Sequence, residues 1–73
     1  MELNEKEGIK EILLKLKKSD SVNIILKNGK EYIGKILNVG ILCIQLQLHG
    51  NRSFYDSIIR IDDISAVEFK VRG

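Results

Sequence analysis

Hydrophobic and polar residues alternate in the segment that begins at Val22. Val22, Ile24 and Leu26 occupy every second position, and positions 23 and 27 are polar. This period of two predicts a strand with one buried face. Asn28-Gly29 follows directly and predicts a hairpin, because both residues accept the positive φ that a tight primed turn requires.

Gly34 lies inside the second predicted strand, which runs through Tyr32 and Ile36. A glycine within a strand weakens pairing and marks a sharp bend or a close backbone approach. A hairpin whose second strand bends at a glycine is typical of a small barrel at its corner. We therefore expect Asn28, Gly29 and Gly34 to set the turn and the bend.

A helix is predicted before these strands, over residues 5–18. Asn4 and Glu7 have the spacing of a helix start, in which the glutamate reaches back to the cap. A hydrophobic stripe at helical spacing follows, formed by Ile9, Ile12, Leu13 and Leu16. Ser19-Asp20-Ser21 is expected to end the helix.

The rest of the pattern predicts five strands, at Val22–Lys27, Lys30–Val39, Ile41–Leu48, Ser53–Ile61 and Ser65–Val71. Gly40, His49-Gly50-Asn51 and Asp62-Asp63 are expected to form turns. The predicted fold class is mainly β with one N-terminal helix, in which a strongly bent five-stranded antiparallel barrel spans residues 22–71. Residues 1–73 are expected to form one domain.

Composition indicates how stable the protein is and where it is located. A core built from 73 residues is marginally stable unless something extends it, and one cysteine cannot form an internal disulfide. No apolar run reaches the length of a membrane span, and the amino terminus lacks the pattern of a signal peptide. We therefore expect a cytoplasmic protein with no membrane partner.

Apolar residues exceed what one small barrel interior holds, since only one face of each strand points inward. Hydrophobic residues make up 44% of the chain. The surplus face either lies under the helix or forms a subunit interface. For the second alternative, the candidate interface residues are Ile59, Ile61 and Val67.

Two segments resemble the conserved motifs of the Sm, LSm and Hfq proteins. VNIILKNGKEYIGKI resembles the first motif, with Gly29 and Gly34 at its two glycine positions, and IIRIDDISAVEF resembles the second. The resemblance spans Ile9 to Phe69. It implies an Sm-like (SH3-like) barrel and a homo-oligomeric ring, a hexamer or heptamer, in which strand four of one subunit pairs with strand five of the next. It also implies that the ring binds single-stranded RNA.

The resemblance is incomplete in the base-binding pocket. Sm proteins hold uracil between an aspartate–asparagine pair and an arginine–glycine pair, but Gly40 stands in the aspartate position and no asparagine follows it in the third strand. Arg60 matches the arginine, whereas Ile61 replaces the glycine, and the Hfq run of tyrosine, lysine and histidine is not reproduced. Arg60 either contacts RNA or forms a salt bridge with Asp62 or Asp63. We therefore expect weak sequence preference.

Charge and aromatic residues supply the other RNA-binding candidates. The net charge is only +2, but residues 15–35 hold six lysines against two acidic residues, a local excess of +4. Lys15, Lys17 and Lys18 either bind RNA or complement the helix dipole and keep the surface solvated. Arg52 beside Phe54 and Tyr55 is a candidate stacking platform, and ordinary strand packing is the alternative. Tyr32 and Phe69 fit core positions.

Catalytic chemistry finds no support in the sequence. His49 lies in a predicted turn, Cys43 lies mid-strand as an inert thiol, and Asp62-Asp63 fits turn chemistry better than an acid–base pair. We expect no enzyme activity, no cofactor and no metal site. Two functions remain: an Sm/Hfq-like ring that binds single-stranded RNA, or an Sm-like or SH3-like module for protein interaction or assembly that does not bind RNA directly.

Overall fold

A computed structural model describes residues 5–18 and 21–70 of the chain, and in it one helix precedes five strands. The helix α1 is followed by the strands β1 to β5, with a short 3₁₀ helix on each side of β4. The bounds are α1 Glu5–Leu16, β1 Val22–Leu26, β2 Glu31–Val39, β3 Cys43–Leu48, η1 Gly50–Arg52, β4 Asp56–Arg60, η2 Ile61–Asp63 and β5 Ile64–Phe69. All strand pairs are antiparallel. The predicted mainly-β class with one N-terminal helix is confirmed.

The five strands form one open sheet in the order β4-β3-β2-β1-β5, so β4 and β5 are its two edges. These opposite edges are nevertheless joined by only the three residues of η2. Five flat strands would hold the edges about 19 Å apart, whereas a 3₁₀ linker of this length spans about 8 Å. The sheet must therefore curl strongly until its edges approach each other at η2.

Curvature is concentrated in β2, the longest strand. Its first half pairs with β1 and its second half with β3, and Gly34 pairs with both Val22 and Leu48. The pairing of β2 with β3 shifts register between Ile36 and Asn38, and such a bulge bends and twists a strand. Gly34 thus lies where β2 passes from one partner strand to the other.

The hairpin between β1 and β2 forms at Asn28-Gly29 as predicted, but its turn type differs. Gly29 has a φ of 90°, whereas no residue other than glycine has positive φ in the described part of the chain. The N–H of Gly29 donates to the carbonyl of Leu26 at 2.9 Å, and the N–H of Leu26 donates to the carbonyl of Lys30 at 2.8 Å. This is a three-residue loop that ends in a left-handed glycine, not a two-residue primed turn.

The helix packs on the inner face of the sheet. Leu13 and Leu16 are buried, and Ile9 and Ile12 pack against the same core, as the stripe predicted. The strands contribute the remaining buried side chains, which are Val22, Ile24, Ile36, Ile44, Leu46, Leu48, Ile59, Ile61 and Ile64. Burying one such aliphatic side chain contributes about 1.5–3 kcal/mol to folding.

Several predicted boundaries differ from the structure. Strand three begins at Cys43 rather than Ile41, and strand four spans Asp56–Arg60 because η1 and a turn occupy the residues before it. Phe69, predicted to lie in the core, is 41% exposed because it ends an edge strand. The predicted cap at Asn4, the helix end at Ser19-Asp20 and the strand end at Val71 lie outside the described residues.

The surplus apolar residues are not those the sequence indicated. Ile59 and Ile61 are buried in the core of their own chain, and Val67 packs against that core. They are therefore not surplus surface residues, because their side chains already pack in or against the core of their own chain. Nor does the helix cover the outer face, where Ile33 and Ile58 stay exposed.

Candidate nucleic-acid interface

The end of β4 meets the turn between β2 and β3. The N–H of Ile61 donates to the carbonyl of Leu42 at 2.8 Å, and the N–H of Gly40 donates to the carbonyl of Cys43 at 2.8 Å. Cys43 in turn pairs with Arg60 across β3 and β4. The segments that hold Gly40 and Ile61 are thus joined by backbone contacts.

Arg60 points outward at this corner. One guanidinium nitrogen lies 3.8 Å from a carboxylate oxygen of Asp62, and 64% of the arginine side chain is exposed. The salt bridge predicted as one alternative therefore exists, but it is long and solvated, and exposed pairs contribute little. The guanidinium of Arg60 is therefore accessible to other anions.

Three basic elements that are distant in sequence converge on η2. Arg60 immediately precedes it, α1 packs against it, and the N–H of Lys27 donates to the carbonyl of Asp63 at 2.8 Å. We call the exposed cations on these elements the basic patch. They are Lys15, Lys17, Lys18, Lys27, Lys30 and Arg60.

The lysines of the helix end also fit the alternative interpretation. Lys15 lies in the last turn of α1, and Lys17 and Lys18 follow in the turn directly after it. Cations there complement the negative end of the helix dipole. This role and RNA binding are compatible, since all three side chains are exposed to solvent.

The connection between β3 and β4 holds the other candidates. We call residues 49–55 the aromatic loop. The guanidinium carbon of Arg52 lies 5.6 Å from the centre of the Tyr55 ring, within the range of a cation–π contact. Phe54 is 96% exposed. Tyr55 is exposed as well. Both aromatic residues therefore face solvent, whereas the sequence left open whether they pack within the strand.

Arg52 and Tyr55 are not brought together with Arg60. The aromatic loop precedes β4 and Arg60 ends it, so the two sites lie at opposite ends of a five-residue strand. At the usual rise of a strand, β4 alone is about 13 Å long. The candidate RNA-binding residues thus form two groups rather than one.

Two acidic side chains lie close together on the outer face of the sheet, one on β2 and one on β5. The side-chain amide nitrogen of Asn23 donates to Glu31 at 2.7 Å and to Glu68 at 3.0 Å, and these three residues lie on three adjacent strands. The oxygen of the same amide is buried without a hydrogen-bond partner. Two carboxylates side by side repel phosphate, so this region does not extend the basic patch.

The residues considered for catalysis stay apart. His49 is exposed in the aromatic loop and Cys43 lies at the start of β3. Among residues 5–18 and 21–70, no group of three or more histidine, cysteine, aspartate or glutamate side chains could hold a metal ion. Within the same ranges, no helix has the length and hydrophobicity to cross a membrane.

Comparison of the chain with models of known protein families, and with curated proteins, returns no match.

Proposed function

We propose that this protein is an Sm/Hfq-like RNA-binding protein that forms a homo-oligomeric ring and binds single-stranded RNA with weak sequence preference. The observation that carries the proposal is the basic patch around η2. Five exposed lysines and Arg60 lie on, or directly beside, elements whose backbones contact one 3₁₀ helix. Phosphate attraction of this kind supplies most of the affinity for RNA when base contacts are few.

Weak sequence preference follows from the altered pocket. Gly40 has no side chain to pair with a base, and Ile61, where the resemblance would place a glycine, buries its side chain in the core. Arg60 retains planar donors that serve a phosphate or a base equally well. Contacts to the RNA backbone are therefore expected to dominate, and the role is binding rather than catalysis.

Two features support assembly into a ring. Both β4 and β5 are edge strands with no further strand beside them in the described chain, and unpaired edges favour pairing with another copy. Ile58 adds an apolar side chain on the β4 edge that is 66% exposed. The resemblance implies that β4 of one subunit pairs with β5 of the next in a hexamer or heptamer, located in the cytoplasm.

Ring assembly would also strengthen RNA binding. The net charge of one chain is only +2, and Asp62 and Asp63 lie within η2 itself. A single patch is therefore weakly attractive to RNA. Repeated around a symmetric ring, the same patch contacts several points of one flexible strand, and avidity multiplies the affinity.

A second function, a protein-interaction module, is favoured by one observation. Ile41 is 82% exposed, and Leu42 beside it is also exposed, in the turn next to Arg60. Neighbouring apolar side chains at a surface turn are typical of a protein contact. In this alternative the corner at η2 binds a protein, and the lysines only keep the surface solvated.

Native mass measurement combined with RNA titration at two salt concentrations separates the two functions. Under the proposal we expect the mass of a ring and RNA binding that weakens steeply as salt rises. The logarithm of the binding constant should fall with the logarithm of the salt concentration with a slope of about −0.7 for each phosphate contacted on a single strand. The absence of binding to uridine-rich and adenosine-rich RNA in low salt would favour the interaction module.

A further inference from the structure

The aromatic loop presents Phe54 to solvent on a rigid support. Four backbone hydrogen bonds fix the loop. They are Arg52 to the carbonyl of His49 at 3.4 Å, Ser53 to Gly50 at 3.1 Å, Tyr55 to Arg52 at 2.9 Å, and Leu48 to Tyr55 at 3.0 Å. The 96% exposure of Phe54 therefore belongs to an ordered turn whose geometry is set before any ligand arrives.

Arg52 lies beside the Tyr55 ring. Its guanidinium carbon is 5.6 Å from the centre of that ring. A guanidinium carries five N–H donors. Arg52 can therefore donate to a phosphate while its contact with Tyr55 is kept.

The surroundings of Phe54 distinguish between classes of partner. His49, Asn51, Arg52 and Ser53 are all exposed polar residues, and residues 49–55 contain no acidic side chain. Two neighbouring rings among polar groups cover far less than the roughly 800 Å² that each side of a stable protein interface buries. An exposed aromatic ring beside a cation is instead the pattern that proteins use to hold single-stranded nucleic acid.

We infer that the aromatic loop is a second RNA contact, at which a nucleobase stacks on Phe54 while Arg52 holds an adjacent phosphate. This inference rests on the proposed function, because it assigns part of the same bound strand to a separate site. The site lies beyond the other end of β4 from Arg60, and β4 alone is about 13 Å long. Because every base has a flat face, such stacking adds affinity with little sequence preference.

A tryptophan at position 54 tests the stacking directly. The chain contains no tryptophan, so Phe54→Trp introduces a single fluorescent ring at the proposed site. Adenosine-rich and uridine-rich strands should quench its fluorescence on binding. A strand of the same length built from abasic ribose phosphates should bind through the basic patch without quenching. Binding of adenosine-rich RNA without any quenching would overturn the inference.

Removal of the ring gives an independent measurement. Phe54→Leu should weaken binding of base-containing strands about tenfold and leave the affinity for the abasic strand and the salt dependence unchanged. The leucine variant should fold normally, because the side chain contacts solvent, and circular dichroism checks this.

The outcomes separate this inference from the proposed function. If Phe54→Leu binds RNA as tightly as the unmodified protein, stacking is refuted, Phe54 is assigned to a protein contact, and RNA binding by the basic patch still stands. If the unmodified protein binds neither the base-containing nor the abasic strand in low salt, both proposals fail together.

Discussion

The carbonyl group of Gln47 occupies the space where a side chain at Gly34 would lie. A Cβ built at position 34 overlaps the carbonyl oxygen of Gln47 and lies 2.9 Å from its carbonyl carbon. β2 and β3 therefore approach each other more closely here than any other residue type allows. This contact explains why the bend of β2 coincides with a glycine.

Substitution of Gly34 should destabilise the fold strongly. Gly34→Val should cost more than the roughly 1 kcal/mol typical of a point mutation, because backbone atoms of β3 must move. Gly29→Ala serves as control, since it meets no atom within 4 Å and its cost of about 1–2 kcal/mol comes from positive φ alone. Urea unfolding measures both. A neutral Gly34→Val would count against the bend.

The assembly proposal makes Ile58 an informative position. Ile58→Lys puts a charge on the β4 edge, and we expect the ring mass to fall to that of a monomer. Leu14→Lys, a matched change at an exposed position of α1, should leave the mass unchanged. Light scattering measures both variants. A monomer mass for the unmodified protein at micromolar concentration would refute the ring.

The basic patch predicts a uniform loss of affinity when its lysines are neutralised. Changing Lys15, Lys17 and Lys18 to glutamine should weaken binding to every RNA sequence alike, and the log–log salt slope should shrink by about 0.7 for each phosphate that the variant no longer binds. Fluorescence anisotropy measures this. Lys35→Gln with Lys70→Gln, one within β2 and one directly after β5, removes cations outside the basic patch and should have a smaller effect per charge. An equal effect would argue for nonspecific charge alone.

Arg60 predicts a base-dependent effect. Arg60→Ala should reduce affinity for uridine-rich strands about tenfold and affect adenosine-rich strands less, because the planar guanidinium stacks on or pairs with the base. Arg60→Lys keeps the charge and should restore only the part shared by all sequences. Because the pair with Asp62 is solvated, neither change should unfold the protein. Equal losses of affinity for the two RNAs would indicate that Arg60 contacts only phosphate and not the base.

The shared amide of Asn23 predicts a charge-dependent loss of stability. Asn23→Asp replaces the donor to Glu31 and Glu68 with a third carboxylate, and should cost about 1–2 kcal/mol of the free energy of unfolding. Adding Glu68→Gln should recover part of that loss. Asn28→Asp makes the same change in charge but keeps the side-chain acceptor for the N–H of Lys30, so it should be nearly neutral. Thermal unfolding compares the three variants.

Local patterns were sufficient to predict the elements of the fold. The helical stripe that ends at Leu16, the alternation from Val22 and the glycine at 34 each depend on a few neighbouring residues, and each describes its element correctly. The turn type at Asn28-Gly29 was wrong because the same dipeptide fits a three-residue loop. The aromatic residues of Ser53–Tyr55 favour a strand, but hydrogen bonds within the loop hold this segment in turns.

The candidate site depended on contacts that no local pattern contains. The sequence contains a run of lysines, but the contact of Lys27 with Asp63 joins residues far apart in the chain. The burial of Ile59 and Ile61 likewise depends on which way β4 faces once the sheet has curled. Arg52 and Tyr55, only three residues apart, were within reach of sequence reasoning, and the structure brings their side chains together.

The pairing of β1 with β5 has a consequence for how the chain is made. β1 emerges from the ribosome before β5, the strand that covers its outer edge and ends at Phe69. Until that segment has been synthesised, the nascent chain exposes an aliphatic strand with an unpaired edge, a state prone to aggregation. Pairing across so much sequence also slows folding. Emergence of β5, rather than formation of the first hairpin, is then the step that covers the outer edge of β1.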